Sequence, residues 1–494
     1  MAHPKSILLI YPGERVSKPR LPMSVLALAT HLVSNNMNCS IVDERVTDLT
    51  DDEILSAEII GISSMSGIQL KSAINTARRI KKINPKVPVI WGGAHATFFP
   101  VQTAESDLAD IVVKGEGEEV FLELCCKILS NEDFSELQSI TFTNNGLIQD
   151  NPYKNEFINI EELHFPMYSL FDLKKYADYT EGLSYESSRG CKNRCAFCYI
   201  DHFHKRKWRG KSVEKVISEF KKIIEDTGIK KLYLMDDNFF GDKNRTYNIC
   251  LQMKESNLDM SWSATCRANI LASASDEYMA VIRDSGCGII GIGAESGSPD
   301  ILKMIKKDIT TEHIKAAVQK CVDNKIMPTV SFIIGFPYET NEDLEMTLKI
   351  YDELMSIDSS VEINGIFIFS PYPGTELFNI AVKEGYKPGT TLDEWANWKF
   401  SSLNNGPWVA PRNRSKMVAI STIARFKYLH HRFQYYSDEF RKEKLNSIFI
   451  RAGYYMFIRI FLFSANFRWK RRCFSFPVEW VVFRKILEVV FKTR

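Results

Sequence analysis

Short apolar runs alternate with stretches of helical periodicity over about the first 145 residues of this 494-residue chain. The runs are four to six residues long and are bounded by turn-forming residues, which is typical of buried parallel strands. Such strands, alternating with helices, predict a doubly wound α/β sheet whose ligand site lies at the carboxyl ends of the strands. The predicted strands are Ile7–Tyr11, Ser40–Asp43, Ile59–Ser63, Val87–Trp91 and Asp110–Val113, with helices such as Met23–Val33 and Leu70–Ile83 between them.

Two glycine-containing loops follow the last two of these strands. Glycine lets the backbone approach a ligand closely or adopt a positive φ angle. The loops therefore predict a Rossmann-like, ligand-binding domain, although these residues alone do not name the ligand. The residues concerned are Gly92, Gly93 and His95 in the first loop and Gly115, Glu116 and Gly117 in the second.

A second series of strand and helix units begins at Ser184, after a segment with few long periodic runs. About six units follow one another, and barrels built in this way place their chemistry at the carboxyl ends of the strands. The predicted strands are Lys231–Met235, Ser261–Thr265, Gly288–Gly293, Thr329–Ile334 and Val361–Phe369, and the predicted helices are Val213–Thr227, Asp276–Ser285, Thr310–Asn324 and Asn341–Ser356.

Three cysteines, Cys191, Cys195 and Cys198, stand within eight residues of one another near the start of this series. Iron–sulfur clusters are held by cysteine thiolates, and a cubane cluster normally takes four of them, one per iron. A loop that offers three leaves one iron free for an outside ligand, so the site is predicted to react rather than only to carry electrons. A structural zinc site needs four ligands in paired spacing, and His202 and His204 would have to fold straight back over the loop to complete one.

The cysteine spacing, with the aromatic Phe197 just before the third cysteine, resembles the signature of the radical S-adenosylmethionine (SAM) superfamily. In that family the open iron chelates the amino and carboxylate groups of SAM, and an electron from the cluster splits the sulfonium to give a 5′-deoxyadenosyl radical. The resemblance implies a 4Fe–4S cluster on Cys191, Cys195 and Cys198, SAM as a cofactor with Phe197 in its site, and a partial (βα)6, TIM-like barrel.

Further strand ends match positions at which the family binds SAM. The resemblance assigns Asp237 to the SAM amino group, with Asp236 as the next candidate and a solvated acidic turn as the alternative. It assigns Arg267 to the SAM carboxylate or a substrate oxygen, because a guanidinium suits bidentate carboxylate recognition, and a structural salt bridge stays open. Glu295 and Ser296 resemble the motif that contacts the ribose and the methionine end of SAM. The motif Gly335–Thr340 is expected beside the adenine.

The N-terminal loops carry a second resemblance. A strand followed by Gly-Gly-x-His-x-Thr, and then a strand followed by Gly-Glu-Gly-Glu, is similar to the cobalamin-binding domain that precedes many radical SAM cores. The Asp-x-His-x-x-Gly motif that ligates cobalt in other cobalamin domains is replaced here by Tyr11–Arg15. The resemblance implies cobalamin contacts from Gly92, Gly93, Gly115, Glu116 and Gly117, whereas His95 either contacts the corrin or stabilises its own loop by a hydrogen bond.

These resemblances favour a cobalamin-dependent radical SAM methyltransferase that acts on an unactivated carbon. A cobalamin-linked oxidation or ring closure is the alternative reaction, and a non-catalytic cobalamin or iron–sulfur sensor is the alternative class. Methylthiotransferase chemistry is less favoured, because the N-terminal half lacks a second set of cluster-binding cysteines. The implied partners are a small-molecule or lipid-linked substrate and a reductant such as flavodoxin or ferredoxin.

The charge is distributed unevenly along the chain. The net charge is +2, yet residues 411–494 contain 19 Lys or Arg and 5 Asp or Glu. This balance of +14, with the apolar run Leu445–Phe463 and the basic residues around Trp469, predicts either a helix at an anionic membrane surface or a helical cap on the barrel. Nucleic acid binding is not expected, because the aromatics lie in apolar runs.

No signal peptide is visible, so a cytoplasmic enzyme is expected, with peripheral attachment to the inner face of the membrane as an option. We predict a cobalamin-binding-type domain at 1–150, a linker at 151–183, a radical SAM core at 184–380 and a basic, mainly helical C-terminal region at 381–494.

Overall fold

The structure, a computed structural model, describes residues 6–154, 156–399, 406–424 and 463–475. The strands are β1 (Ser6–Tyr11), β2 (Asn38–Asp43), β3 (Ile59–Ser63), β4 (Val89–Gly92), β5 (Ile111–Val113), β6 (Ile140–Asn144), β7 (Leu147–Asp150), β8 (Leu183–Tyr185), β9 (Ser188–Arg189), β10 (Arg209–Gly210), β11 (Lys231–Leu234), β12 (Ser261–Cys266), β13 (Cys287–Glu295), β14 (Met327–Ile334) and β15 (Glu362–Ile368).

The helices are α1 (Met23–Ser34), α2 (Asp51–Ser56), α3 (Ile68–Ile83), α4 (Ala94–Phe98), α5 (Pro100–Ala104), α6 (Glu118–Ser130), α7 (Asp178–Glu181), α8 (Ile200–His204), α9 (Val213–Thr227), α10 (Lys243–Glu255), α11 (Ala268–Ala272), α12 (Asp276–Asp284), α13 (Pro299–Met304), α14 (Thr311–Asp323), α15 (Asn341–Met355), α16 (Glu376–Lys383) and α17 (Leu392–Ala396). Residues 411–424 and 463–470 are also helical.

The N-terminal sheet has seven strands in the order β2-β1-β3-β4-β5-β6-β7. Its first five strands run parallel, and β6 and β7 form an antiparallel hairpin at one edge. Hydrophobic cores lie on both of its faces, one including Val25 and Phe121 and the other including Leu70 and Trp91. This arrangement confirms the predicted α/β class and the five parallel strands, and it adds a hairpin that the sequence analysis did not predict.

The second sheet consists of six parallel strands in the order β15-β14-β13-β12-β11-β8. Helices such as α9 and α14 follow its strands, and a single large core fills the space between strands and helices. Helix α9 has the bounds the sequence predicts, because Ser212 caps its first turn and Gly228 ends it with a φ of 69°. The structure therefore has the predicted (βα)6 arrangement.

Two short strands frame the cysteine loop. Strand β9 precedes the loop and pairs with β10, which follows it, in an antiparallel ladder that sets Arg189 opposite Arg209. The sequence analysis did not predict this ladder, since a two-residue strand carries no periodic pattern. The ladder holds the two ends of the cysteine loop together.

The chain returns to the N-terminal sheet after the barrel. Trp395, in α17, is buried and stacks 4.7 Å from the ring of Phe99, and its carbonyl accepts a hydrogen bond from Gly67 N at 3.0 Å. Arg78 in α3 forms an ion pair with Asp393 at 3.0 Å. The segment beyond residue 380 is thus shared between the two halves of the molecule, and the predicted domain boundaries stay predictions.

Residues 463–475 pack against the outer helix α15. Trp469 is buried, its ring centre lies 4.5 Å from that of Tyr351, and its Nε1 donates a hydrogen bond to Asp352 Oδ1 at 2.7 Å. One face of this short segment therefore packs on the barrel, as the predicted cap would. Most of the apolar run Leu445–Phe463 lies outside the described residues. Among the described helices, none has both the length and the apolar character needed to cross a bilayer.

Candidate active site

The cysteine loop is fixed at its start by a glycine that no other residue can replace without strain. Gly190 has a φ of +84°, and a Cβ atom there would collide with the carbonyl of Lys207. Its N–H donates to Asp237 Oδ2 at 2.8 Å. Farther along the loop, Ala196 N donates to the carbonyl of Ile305 at 2.9 Å. The sequence therefore holds the loop against the carboxyl ends of the barrel strands.

The three cysteines carry free, partly exposed thiols. Asn193 Nδ2 donates to Cys191 Sγ at 3.1 Å, and Arg267 Nη1 donates to Cys195 Sγ at 3.2 Å. Burial raises the pKa of the Cys198 thiol to about 12, so binding a metal there must displace a proton. Hydrogen bonds to the sulfurs are a feature of iron–sulfur sites, and the donors are already in position around this loop.

The described residues contain no group of three His, Cys, Asp or Glu side chains gathered around a point where one metal ion would sit. A mononuclear zinc site would need such a group, whereas a cubane places each thiolate on a different iron. His202 and His204, the candidate further zinc ligands, have other contacts: the ring of His202 lies 5.0 Å from the ring of Phe98, and His204 Nδ1 lies 3.1 Å from Arg209 Nη2.

Asp236 and Asp237, which follow β11, have different surroundings. Asp236 is buried, and its carboxylate accepts hydrogen bonds from Ser187 N at 3.1 Å and Ser187 Oγ at 2.7 Å, and one from Ser188 Oγ. It ties β11 to the segment before the cysteine loop. Asp237 lines a cavity beside the loop, and burial raises the pKa of its carboxyl to about 6. Asp237 is therefore the residue of the pair that faces a ligand site.

Arg267 and Glu295 meet at a third residue that the sequence analysis missed. Lys307 forms a buried ion pair with Glu295, with Nζ 2.6 Å from Oε1, and its carbonyl accepts a hydrogen bond from Arg267 Nη2. Lys307 Nζ also lies 5.7 Å from the centre of the Phe197 ring. Phe197, Arg267, Glu295 and the Cys195 thiol thus form one connected group around Lys307. No motif in the sequence marks this lysine.

Ser296 stands apart from that group. Its hydroxyl lies 3.1 Å from Thr347 Oγ1 and accepts a hydrogen bond from Ser298 N at 3.1 Å. The side chain is fully buried and stabilises the turn that follows β13. Glu295, just before it, has a φ of +61°, which turns the chain there and directs the carboxylate toward Lys307.

A cavity of about 370 Å³ lies between the N-terminal sheet and the barrel. From the sheet it is lined by the ends of β3, β4 and β5, and from the barrel by β9, α8 and Asp237. Residues of β1, β3, α1 and α6 also line it, among them Leu9, Gly61 and Phe121. The structure thus brings together around one cavity the predicted residues Gly92, Gly93, Gly115, Glu116, Gly117 and Asp237.

The two loop glycines have different environments. Gly93 has a φ of +91°, and a Cβ atom there would collide with the backbone of Ser64, so this position requires glycine. A Cβ atom on Gly92 would meet only the carbonyl of Val113, at 3.8 Å. Gly93 shapes the loop, and Gly92 leaves room in the cavity.

His95 does not line either of the two cavities at this interface. It is fully buried, its Nδ1 lies 2.9 Å from Ser66 Oγ, and it packs near the rings of Phe99 and Trp395. Burial lowers its pKa to about 3, so the ring is neutral at physiological pH. These contacts support loop stabilisation rather than contact with a corrin.

A second cavity, of about 550 Å³, reaches Cys195 and Cys198 from the other side of the loop. Glu116 lines both cavities, but its carboxylate is already bound by Arg209, with Nη2 2.6 Å from Oε1. The Glu116 carboxylate is therefore engaged by Arg209 and is not free to bind a ligand in either cavity.

Residues 185–350 match the Radical SAM superfamily, and residues 21–125 match the B12 binding domain. An uncharacterized methyltransferase of Pyrococcus horikoshii is 32% identical over 408 residues, which span 78% of this chain and 86% of that protein. The chain belongs to the radical SAM superfamily, in the branch with an N-terminal B12 binding domain.

This radical SAM protein is also 24% identical to an anaerobic magnesium-protoporphyrin IX monomethyl ester cyclase of Rubrivivax gelatinosus, over 75% of the chain and 69% of the cyclase. Its fold is similar to that of OxsB, a cobalamin-dependent SAM radical enzyme solved with aqua-cobalamin bound. The TM-score is 0.69 at 19% identity, covering 98% of this chain and 75% of OxsB. This second likeness concerns the fold.

Proposed function

We propose that this radical SAM enzyme transfers a methyl group to an unactivated carbon of a small-molecule substrate, using a 4Fe–4S cluster, SAM and cobalamin. One observation carries the proposal: Gly92, Gly117 and Asp237 line one cavity beside the cysteine loop. Residues expected to contact two different cofactors, on two different sheets, thus face the same space.

The cysteine loop suits a cluster with one open iron. Cys191, Cys195 and Cys198 would hold three irons, and the donors from Asn193 and Arg267 point at two of the sulfurs. When bound, the cluster supplies the electron that cleaves SAM. Removal of the three thiolates together, by replacement with Ala, should abolish the iron–sulfur absorbance near 400 nm; full retention of iron would refute the assignment.

The interface cavity suits cobalamin. Gly92, Gly93, Gly115 and Gly117 line it, and glycine backbone allows a flat macrocycle to approach the strand ends closely. Leu9, Gly61 and Phe121 add apolar lining. When bound, cobalamin supplies the methyl group that the substrate carbon receives.

For SAM we assign binding roles to Asp237, Arg267 and Glu295, with Phe197 beside them. Asp237 accepts a hydrogen bond from Gly190 N at the cavity wall, Arg267 places a cation beside Cys195, and the Glu295 carboxylate is held in place by Lys307. Ser296 acts only through the backbone turn that it stabilises.

A cobalamin-linked oxidation or ring closure is the second candidate, and the likeness to the magnesium-protoporphyrin IX monomethyl ester cyclase favours it. A sensor would leave the residues around SAM without a purpose. Anaerobic reconstitution with SAM and dithionite separates the three. Methyl transfer predicts both 5′-deoxyadenosine and S-adenosylhomocysteine; 5′-deoxyadenosine alone favours oxidation or cyclisation, and neither product favours the sensor.

For the reductant we propose an acidic electron carrier such as flavodoxin or ferredoxin. Lys192, Lys205 and Lys207 are exposed around the cysteine loop, and each lies 5.4–5.9 Å from the centre of an aromatic ring. Complementary charge steers such encounters. Reversing the three charges should slow cluster reduction by the carrier but not by dithionite, and equal slowing by both would contradict the role.

We also propose that the C-terminal region attaches the enzyme to the surface of an anionic membrane. Phe463 and Phe467 are 73% and 55% exposed on the outer side of the helical residues 463–470, next to exposed Lys470 and Arg471. Aromatic and basic side chains together suit an anionic bilayer surface, and a lipid-linked substrate would then be within reach. Full-length protein should float with anionic liposomes, and the variant Phe467→Ser with Lys470→Glu and Arg471→Glu should not. Equal flotation of the two proteins would contradict membrane attachment and leave these residues with the role of a barrel cap.

A further inference from the structure

A set of buried charges joins the N-terminal sheet to the strand that leads into the cysteine loop. Arg189, on β9, has a side chain that is only 12% exposed. Its Nη2 lies 2.7 Å from Glu118 Oε1, and its Nε lies 2.7 Å from Glu186 Oε2. Glu118 is the first residue of α6 and follows directly on the Gly115–Gly117 loop, so the Arg189–Glu118 pair connects the two sheets.

A second arginine repeats the connection. Arg209 lies opposite Arg189 in the β9–β10 ladder, and it binds both carboxylate oxygens of Glu116, with Nη2 2.6 Å from Oε1 and Nη1 3.0 Å from Oε2. Glu116 Oε1 also lies 3.6 Å from Arg189 Nη1. Two arginines of one ladder therefore hold two glutamates at the start of α6, and the Arg209–Glu116 pair is bidentate.

The burial of these side chains determines how much stability is lost when one of their ion pairs is broken. Exposed ion pairs contribute little to stability, and the Arg78–Asp393 pair, with side chains 53% and 66% exposed, is of that kind. The Glu118 side chain is only 5% exposed. Removing one partner of a buried pair leaves an uncompensated charge away from water, which is strongly destabilising. The contact between the two loops should therefore open when Arg189 loses its charge.

Movement of β9 would pass directly to the cysteines. Gly190 follows Arg189, lies so near the Lys207 carbonyl that a Cβ atom would collide with it, and donates a hydrogen bond from its N–H to Asp237. Cys191 comes next in the chain. The position of Arg189 relative to Glu118 therefore sets the position of the cysteine loop relative to the Gly115–Gly117 loop.

We propose that Arg189 is a positioning residue whose ion pair with Glu118, supported by Arg209 and Glu116, fixes the distance and orientation between these two loops. The proposal rests on the proposed function, because methyl transfer requires the groups held by the two loops to stay in one mutual geometry. Arg189 itself acts through the backbone and does not contact the reacting atoms.

Hydrogen–deuterium exchange on the full-length apo protein tests this without any cofactor. The variants are Arg189→Met and Glu118→Gln, with Arg78→Met as a matched control in an exposed pair. We expect exchange to become roughly tenfold faster or more in both 113–118 and 188–199 for the first two variants, since a buried pair is broken. The control should leave both segments unchanged. If Arg189→Met does not fold, Glu118→Gln, which keeps the side-chain size, carries the test.

Products measured on the reconstituted enzyme add a second readout. With cluster and cobalamin both bound, Arg189→Met should raise the ratio of 5′-deoxyadenosine to S-adenosylhomocysteine roughly tenfold, as expected for displaced reaction partners. Unchanged exchange at 113–118, or an unchanged product ratio, would overturn the proposal. If the wild-type enzyme forms no S-adenosylhomocysteine, the proposed function fails, and the exchange data alone still decide the role of Arg189.

Discussion

Arg267 Nη1 lies 3.2 Å from Cys195 Sγ. Arg267 follows β12 and is buried, and its second terminal nitrogen is bound to the carbonyl of Lys307. The guanidinium is thus held in one orientation, with a permanent positive charge and an N–H donor directed at one thiolate. Hydrogen bonds to the sulfurs and nearby charge help to set the reduction potential of an iron–sulfur cluster.

We predict that Arg267→Gln lowers the reduction potential of the cluster. Reduction adds negative charge, and the variant loses the cation that stabilises it. A tenfold change in a one-electron equilibrium corresponds to about 59 mV, and we expect a shift of roughly that size. Redox titration followed by EPR of the reduced cluster measures the shift. An unchanged potential, with iron content equal to wild type, would contradict the role.

Lys307→Met should destabilise the protein. The substitution leaves the buried Glu295 carboxylate without its partner at 2.6 Å, and breaking a buried pair costs about 3–5 kcal/mol. The double variant Lys307→Met with Glu295→Gln removes both charges and should recover most of the loss. Thermal unfolding of the apo protein followed by circular dichroism measures both. A double variant no more stable than Lys307→Met would show that the pair is not the cause.

The buried carboxyl of Glu339 should make the stability of the folded protein fall as pH rises. Burial raises the pKa of this carboxyl to about 8, and its Oε2 accepts a hydrogen bond from Gly335 N. The folded state therefore holds a proton that the unfolded state releases above its ordinary pKa, so stability falls as pH rises from about 4.5 to 8.

Glu339→Gln removes this loss. One pKa unit corresponds to about 1.4 kcal/mol. A rise from 4.5 to about 8 should therefore make the free energy of unfolding of the variant higher than that of wild type by up to about 5 kcal/mol near pH 8.5, with the difference fading near pH 5. Melting temperatures across this pH range test the expectation. Parallel curves for the two proteins would mean that Glu339 does not titrate in this window.

Gly92→Val should block cobalamin binding without unfolding the protein. A Cβ atom at Gly92 meets nothing closer than 3.8 Å, so the side chain fits the backbone and occupies the cavity instead. We expect the affinity for hydroxocobalamin to fall at least roughly tenfold, as for a clash that costs 1.4 kcal/mol or more. Gly288→Val is the matched control, because Gly288 is exposed on β13 and a Cβ atom there has open space. If both variants bind hydroxocobalamin equally well, cobalamin does not bind at this loop.

The parallel strands could be predicted because each buried run is continuous and apolar. Helix Val213–Thr227 has its predicted bounds, because a serine caps its start and a glycine follows its last residue. Helix α10 was missed because its first turns, with Lys243, Asn244 and Arg245, carry no apolar stripe. The β6–β7 hairpin was missed for a related reason: one edge strand, Leu147–Asp150, is mostly exposed.

The motif residues could be located from the sequence, but their partners could not. The placement of Asp237 beside the cavity follows from its position after a strand. Arg189 stands two residues before the first cysteine, and Arg209 and Lys307 belong to no motif. The importance of all three depends on which carboxylates the tertiary fold brings near them. His95 differs, because its motif left corrin contact and loop stabilisation both open, and burial beside Ser66 and Trp395 supports loop stabilisation.

Transfer of a labelled methyl group from SAM to a substrate carbon is the most direct test of the proposed methyltransferase activity. The reconstituted enzyme is incubated anaerobically with a reductant, methyl-deuterated SAM and a metabolite extract of a strain lacking the gene, and the extract is then compared by mass spectrometry. We expect one metabolite to gain a single labelled methyl group on carbon, together with 5′-deoxyadenosine and S-adenosylhomocysteine. The enzyme in which Cys191, Cys195 and Cys198 are replaced by Ala should give no such product. Formation of 5′-deoxyadenosine with a substrate that is oxidised or cyclised, and with no labelled methyl group in any metabolite, would contradict it.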